Sequence, residues 1–82
     1  TNEEMDFIIY PNPFINYTTI EVNNPHKVAY DLYVYDIKGV IVKTFVNQTE
    51  NKIILENEFS NGIYHIQLIS SKGNSRKLIV VE

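Results

Sequence analysis

The chain has no cysteine and no tryptophan among its 82 residues. Without thiols, neither a disulfide nor a thiolate metal site supports the fold, which has to stand on packing alone. That absence is compatible with secretion as well as with a reducing compartment. Long apolar runs are missing too. A run such as Leu78–Val81 falls far short of the roughly 20 residues a membrane-spanning helix needs, so stable membrane insertion is not expected. Seven basic residues stand against ten acidic ones, for a net charge of −3, and no basic stripe is present; a nucleic-acid partner is therefore excluded. The opening TNEEMD is polar and acidic and is not a signal peptide. With Thr1 first, the chain is expected to be a domain taken from the end or interior of something longer.

What is present is alternation. Thr18, Ile20 and Val22 fall on one face of TTIEV, with Thr19 and Glu21 on the other. Tyr30, Leu32 and Val34 alternate with Asp31, Tyr33 and Tyr35, and Tyr64, Ile66 and Leu68 alternate with Ile63, His65, Gln67 and Ile69. Period-2 patterns in β-branched and aromatic segments are strand patterns, and no span of about ten residues carries a capped helical stripe. Seven strands are expected, over about 6–10, 17–23, 29–35, 40–46, 52–56, 62–70 and 75–81.

The connections are chemically readable. Asp36 to Gly39 has Asp at the start of a turn and Gly where a left-handed residue is tolerated, which joins the third and fourth strands as a hairpin with a bulge. Ser71 to Asn74 reads as a second hairpin turn, and Asn61–Gly62 leads tightly into the sixth strand. Short strands with turns every 8–12 residues or so predict a seven-stranded antiparallel immunoglobulin-like β-sandwich, with an open barrel as its rival. A chain this short buries only roughly 60–65 % of its unfolded surface, so its core is thin. Residues 1–6 are charged and lack a strand pattern before Phe7; they are expected to be a tether to an upstream domain, with 7–82 as the folded unit.

The segment YPNPF, Tyr10 to Phe14, concentrates proline just after an apolar run. Pro11 and Pro13 fix φ near −65° and offer no amide donors, and each pushes its predecessor toward an extended conformation. The segment is therefore a stiff connector that cannot pair on both sides. It ends the first strand and carries the chain to the second, with a possible crossing between sheets, and it lets Tyr10 and Phe14 bury rings at one end of the sandwich.

No catalytic set assembles. His26 lies in a loop beside Pro25 and His65 on the more polar face of its strand; Ser60, Ser70, Ser71 and Ser75 sit in or next to turns, without a nucleophile elbow. Asp31 and Asp36 form no calcium loop, and Asp36 reads as a turn cap. Glu56 and Glu58 share a solvated face. No enzyme activity, metal or cofactor is expected. Two N-x-T sequons, at Asn16 and Asn47, matter only in a glycosylating host. Tyr33 and Tyr35 share one face; left open, that row suits sugar stacking or a protein interface, unless neighbouring residues cover it.

Three stretches in order resemble the type IX secretion system C-terminal sorting domains of Bacteroidetes, type A. They are the YPNP-like Tyr10-Pro11-Asn12-Pro13, the YDxxGxxV-like Tyr35 to Val42 with Asp36 and Gly39, and the GxY strand Gly62-Ile63-Tyr64 followed by the lysine-bearing Lys77 to Val81. The match runs from about residue 8 to the end. It implies a sandwich of seven strands and a job: to direct a larger cargo in cis through the outer-membrane translocon. By the resemblance the cargo reaches the periplasm first, a sortase-like cysteine peptidase then cuts within or upstream of residues 1–6, and the cargo ends at the cell surface or is secreted. Carried over position by position, Gly62, Tyr64, Lys77, Leu78, Val80 and Val81 are the expected recognition residues, while Tyr10, Pro11, Asn12, Pro13, Asp36 and Gly39 are structural. Many members finish on a basic residue, whereas this chain ends Val80-Val81-Glu82. A last strand at a sheet edge offers free backbone donors and acceptors for strand addition. The alternative functions are a carbohydrate-binding or a structural accessory module of a secreted enzyme, since fold does not fix function.

Overall fold

The structure is a computed structural model and describes residues 5–82. Seven strands follow in order: β1 (Phe7–Tyr10), β2 (Tyr17–Val22), β3 (Tyr30–Tyr35), β4 (Ile41–Gln48), β5 (Lys52–Glu56), β6 (Gly62–Ser70) and β7 (Gly73–Val81). They form two antiparallel sheets, β1-β2-β5 and β4-β3-β6-β7, packed face to face. The immunoglobulin-like sandwich, not the barrel, is the architecture.

The alternation in the sequence decides which side of each strand is dry. Ile20 and Val22 of β2 and Ile53 and Leu55 of β5 face Leu32, Val34, Ile66, Leu68 and Ile79 of the other sheet, all buried. Phe7 and Tyr30 add the large rings. Thr18 shares the buried face of β2, and its hydroxyl is satisfied by donating to the Pro11 carbonyl at 2.7 Å. Burial of this apolar set stabilises the fold at about 25 cal/mol per Å2, the dominant favourable contribution in a chain without cross-links.

Two strands run longer than their sequence signals. β4 continues to Gln48 because the register shifts between Tyr30 and Leu32: Asn47 adopts φ 55°, and its amide donates to Asp31 Oδ1 at 2.8 Å. β7 starts at Gly73, opposite Ser70, so the hairpin turns on Ser71 and Lys72 alone and Ser75 lies inside the strand. The Asp36 turn forms as its residues require. Gly39 takes φ 87°, and Asp36 Oδ1 accepts from the amides of Lys38 and Val40, each at 2.9 Å.

The connection from β2 to β3, which changes sheets, is pinned by a side chain the alternation does not single out. Asn24 is 1 % exposed; it donates to the carbonyls of Val28 and Thr49 and accepts from the Val28 amide at 2.9 Å. Residues 1–4 of the expected tether lie outside the described residues. Met5, by contrast, is buried in the core, with its carbonyl accepting from Ser75 Oγ at 3.1 Å, and the Asp6 carbonyl accepts from the Asn23 amide at 2.9 Å.

Candidate functional site

The six residues expected to be recognised, Gly62, Tyr64, Lys77, Leu78, Val80 and Val81, converge on one hairpin. β6 and β7 pair so that Gly62 faces Val81, Ile63 faces Val80, Tyr64 faces Ile79, His65 faces Leu78 and Ile66 faces Lys77. Because β-strand side chains alternate, this hairpin has a dry side and a wet side. Tyr64, Ile79 and Val81 point into the core, whereas Leu78 is 55 % exposed and Ile63 46 %. Val80 is half-buried.

Each member has its own local reason. Gly62 takes φ 152°, with open space where a Cβ would stand, so the demand for glycine is one of backbone conformation and not of crowding. Tyr64 is 8 % exposed; its ring packs on Phe59 at 5.3 Å between centroids and its hydroxyl donates to the Ser60 carbonyl at 2.7 Å. That bond ties the strand to the turn leading into it. Lys77 stands at the rim of the sandwich, 5.7 Å above the Phe7 ring and 3.8 Å from Asp6. An ion pair this exposed stabilises little, roughly 0–1 kcal/mol, and leaves the ammonium able to meet another partner.

On the wet side, cross-strand pairing lines up Ile41, Tyr35, His65 and Leu78 across all four strands of the larger sheet. The row next to it holds Thr44, Tyr33, Gln67 and Arg76. The two tyrosines do not lie open as a flat platform. Their rings are tilted by 38° at 6.4 Å, the Tyr35 hydroxyl donates to Gln67 Oε1 at 2.9 Å, and the Arg76 guanidinium lies 5.8 Å over the Tyr35 ring. The charge of neighbouring Asp31 raises the Tyr33 phenol above its ordinary range. His65 belongs to this sheet surface, while His26 lines a separate recess with Pro25, Asn24 and Lys72. Among the described residues no three His, Asp or Glu side chains gather as a metal site.

The outer edge of β7 is where the geometry departs from the expectation of a free edge. Asn12 Nδ2 donates to the Leu78 carbonyl at 3.1 Å, and the Val80 amide donates to Asn12 Oδ1 at 2.9 Å. The Asn12 side chain thus serves both groups as a backbone amide of a neighbouring strand would. Two residues on, the Phe14 amide donates to the Val80 carbonyl at 3.1 Å and the Phe14 carbonyl accepts from the Glu82 amide at 2.9 Å. Phe14 is 1 % exposed and bridges Val81 in parallel. The prolines now have a place: with no amide hydrogens at Pro11 and Pro13, the donors that follow Tyr10 in YPNPF belong to Asn12 and Phe14 alone. Both X–Pro bonds, Tyr10–Pro11 and Asn12–Pro13, are cis. The connector returns to the sheet it left, since β1 and β2 are neighbours, yet it reaches across to the other sheet by hydrogen bonds. Tyr10 does not bury its ring. It is 40 % exposed, and its hydroxyl donates to Glu21 across the β1–β2 pair. Nothing in the local sequence announces the Asn12 contacts, because their partners lie 66 and 68 positions away.

A family model for the secretion system C-terminal sorting domain matches residues 8–82. The chain belongs to this family. No match is found among curated proteins. The sorting domain is the C-terminal signal of type IX secretion, so it acts with that system on a cargo in cis and leads to the cell surface or to secretion. The family is not one of enzymes. No helix among the described residues is long and apolar enough to cross a membrane.

Proposed function

We propose that the β6–β7 hairpin is the part of the sorting domain that the outer-membrane translocon reads, and that the domain has no catalytic role of its own. The observation that carries this reading is the convergence of Gly62, Tyr64, Lys77, Leu78, Val80 and Val81 on paired strands at one edge of the sandwich. Within that set the labour divides by exposure. Leu78 and Lys77 present contact groups, whereas Gly62, Tyr64 and Val81 hold the strand in place. Asp36, Gly39 and the YPNP segment are structural supports of the same unit. The cargo arrives from the periplasm, and a sortase-like cysteine peptidase separates it from the domain. A peptidase binds its substrate extended, and Met5 is buried, so the cut falls ahead of Met5 while the domain stays folded.

The test is a fusion of residues 1–82 behind a periplasmic fluorescent protein, in hosts with and without the translocon. Surface delivery only in the first host, lost on deleting residues 78–82 and on the fold-preserving Leu78→Asp, is the expected result. Undiminished delivery of both variants excludes the hairpin as the element read.

A further inference from the structure

The C-terminal stretch of the outer edge of β7, from the Leu78 carbonyl on, is already occupied. The Asn12 side chain closes the Leu78 carbonyl and the Val80 amide, and the Phe14 backbone closes the Val80 carbonyl and the Glu82 amide. Over this stretch the edge cannot accept a further strand, because the Leu78 carbonyl, the Val80 amide and carbonyl and the Glu82 amide are already paired. We infer that the Asn12 side chain is a releasable cover of the last strand, and that the translocon gains the Leu78–Val80 stretch of the edge by displacing it. This rests on the reading above, that the translocon reads the β6–β7 hairpin.

The two contact points are built differently, which makes partial release feasible. Asn12, Pro11 and Pro13 are exposed, and Asn12 holds β7 through a side-chain amide alone. Phe14 is anchored by its ring in the core. Thr18 and the β1–β2 ladder fix the chain on the Pro11 side. A rotation of one side chain therefore frees a carbonyl and an amide without unseating Phe14 or disturbing the sandwich. A partner strand that supplies an acceptor and a donor restores both bonds, so the exchange conserves hydrogen bonds while the partner adds contacts with exposed Leu78. The cover sets a threshold: affinity is reduced by the fraction of molecules in which it is open.

The experiment compares the wild-type chain with Asn12→Ala by amide hydrogen exchange and by binding to outer-membrane vesicles from translocon-bearing and translocon-deleted cells. The expected result is exchange at the Val80 amide faster by roughly 5- to 10-fold, with translocon-dependent binding tighter by a similar factor. Asn12→Asp, which keeps an acceptor for Val80 but sets an oxygen against the Leu78 carbonyl, is expected to move both readouts in the same direction. Faster Val80 exchange with unchanged or weaker binding overturns the cover, as does unchanged exchange. If Leu78→Asp and the chain lacking residues 78–82 bind like wild type, the strand-recognition reading fails and the cover falls with it. If those two lose binding and Asn12→Ala does not tighten it, only the cover is wrong.

Discussion

Phe14 lies parallel to Val81, with its amide on the Val80 carbonyl at 3.1 Å, its carbonyl on the Glu82 amide at 2.9 Å, and both side chains buried. A segment near the start of the domain thereby holds the strand at its end, and the ring fills space between the sheets. Truncation of a buried Phe typically costs about 3–5 kcal/mol, a large share of the stability of a small domain. Phe14→Ala is expected to unfold the chain at ambient temperature, while Phe14→Leu stays folded with a lower urea midpoint. Circular dichroism during urea titration reads both.

Tyr64 allows structure and recognition to be told apart at a motif position. Removing the hydroxyl in Tyr64→Phe breaks the bond to the Ser60 carbonyl and costs about 1 kcal/mol, while the contact with Phe59 survives. Tyr64→Ala removes the ring and costs about 3–5 kcal/mol. Delivery of a cargo fusion is expected to follow these stabilities, near wild type for Phe and absent for Ala. Loss of delivery in a Tyr64→Phe chain of unaltered melting temperature would show that the hydroxyl itself is contacted.

The central hairpin depends on two positions with separable costs. Gly39→Ala meets no neighbouring atom, so its penalty is the left-handed backbone alone, about 1–2 kcal/mol. Asp36→Ala leaves the Lys38 and Val40 amides without their shared acceptor. Both amides are at the surface, where water replaces the carboxylate, and the expected loss is about 1–2 kcal/mol. Chemical denaturation should rank the two variants together, well above any core truncation in stability.

Asn24 should prove more costly to lose than its polarity implies. Asn24→Ala strands the Val28 amide and the carbonyls of Val28 and Thr49 at a buried point, for a penalty of about 2–3 kcal/mol. Asn24→Asp keeps the acceptor but has no donor for the two carbonyls, and is expected to be no better. Thermal melts of the two variants provide the check.

Three phenols give the domain an alkaline limit. Burial, assisted by the charge of Glu50, raises Tyr30 above its ordinary range. Asp31 does the same for Tyr33, and the hydrogen bond to Glu21 for Tyr10. A group whose titration point is raised on folding favours the folded state fully below its unfolded value, about 10 for tyrosine, and loses that contribution as pH rises through the folded value. Stability is therefore expected to be level from neutral pH to about 10 and to decline above it. Urea midpoints across that range check the slope. Tyr30→Phe should start lower, without its bond to the Glu50 carbonyl, and decline less steeply.

Most of the fold was legible because burial in a two-sheet stack follows alternation directly. Thr18, Ile20 and Val22, or Tyr64, Ile66 and Leu68, needed no tertiary information to be assigned to the dry side. The Asp36–Gly39 turn was equally local, since a carboxylate acceptor and a residue with φ 87° lie within a single short stretch. What escaped the sequence was every contact set by distant backbone. Asn12 reads as part of a stiff connector until its partners on β7 are known, and nothing singles out Asn24 until Thr49 is beside it. Met5 reads as part of the polar tether, because one apolar side chain among acids carries no period, yet it is buried in the core and bonded to Ser75 of β7.

The separation of 68 positions between Asn12 and Val80 also bears on timing. Contacts this remote form slowly, because a long loop has to close before they stabilise anything. As the chain enters, N-terminus first, the compartment where it folds, the Phe14 amide and carbonyl wait for Val80 and Glu82 to arrive. Any polypeptide encoded ahead of the domain has by then had the whole interval in which to collapse, so the address matures after the parcel.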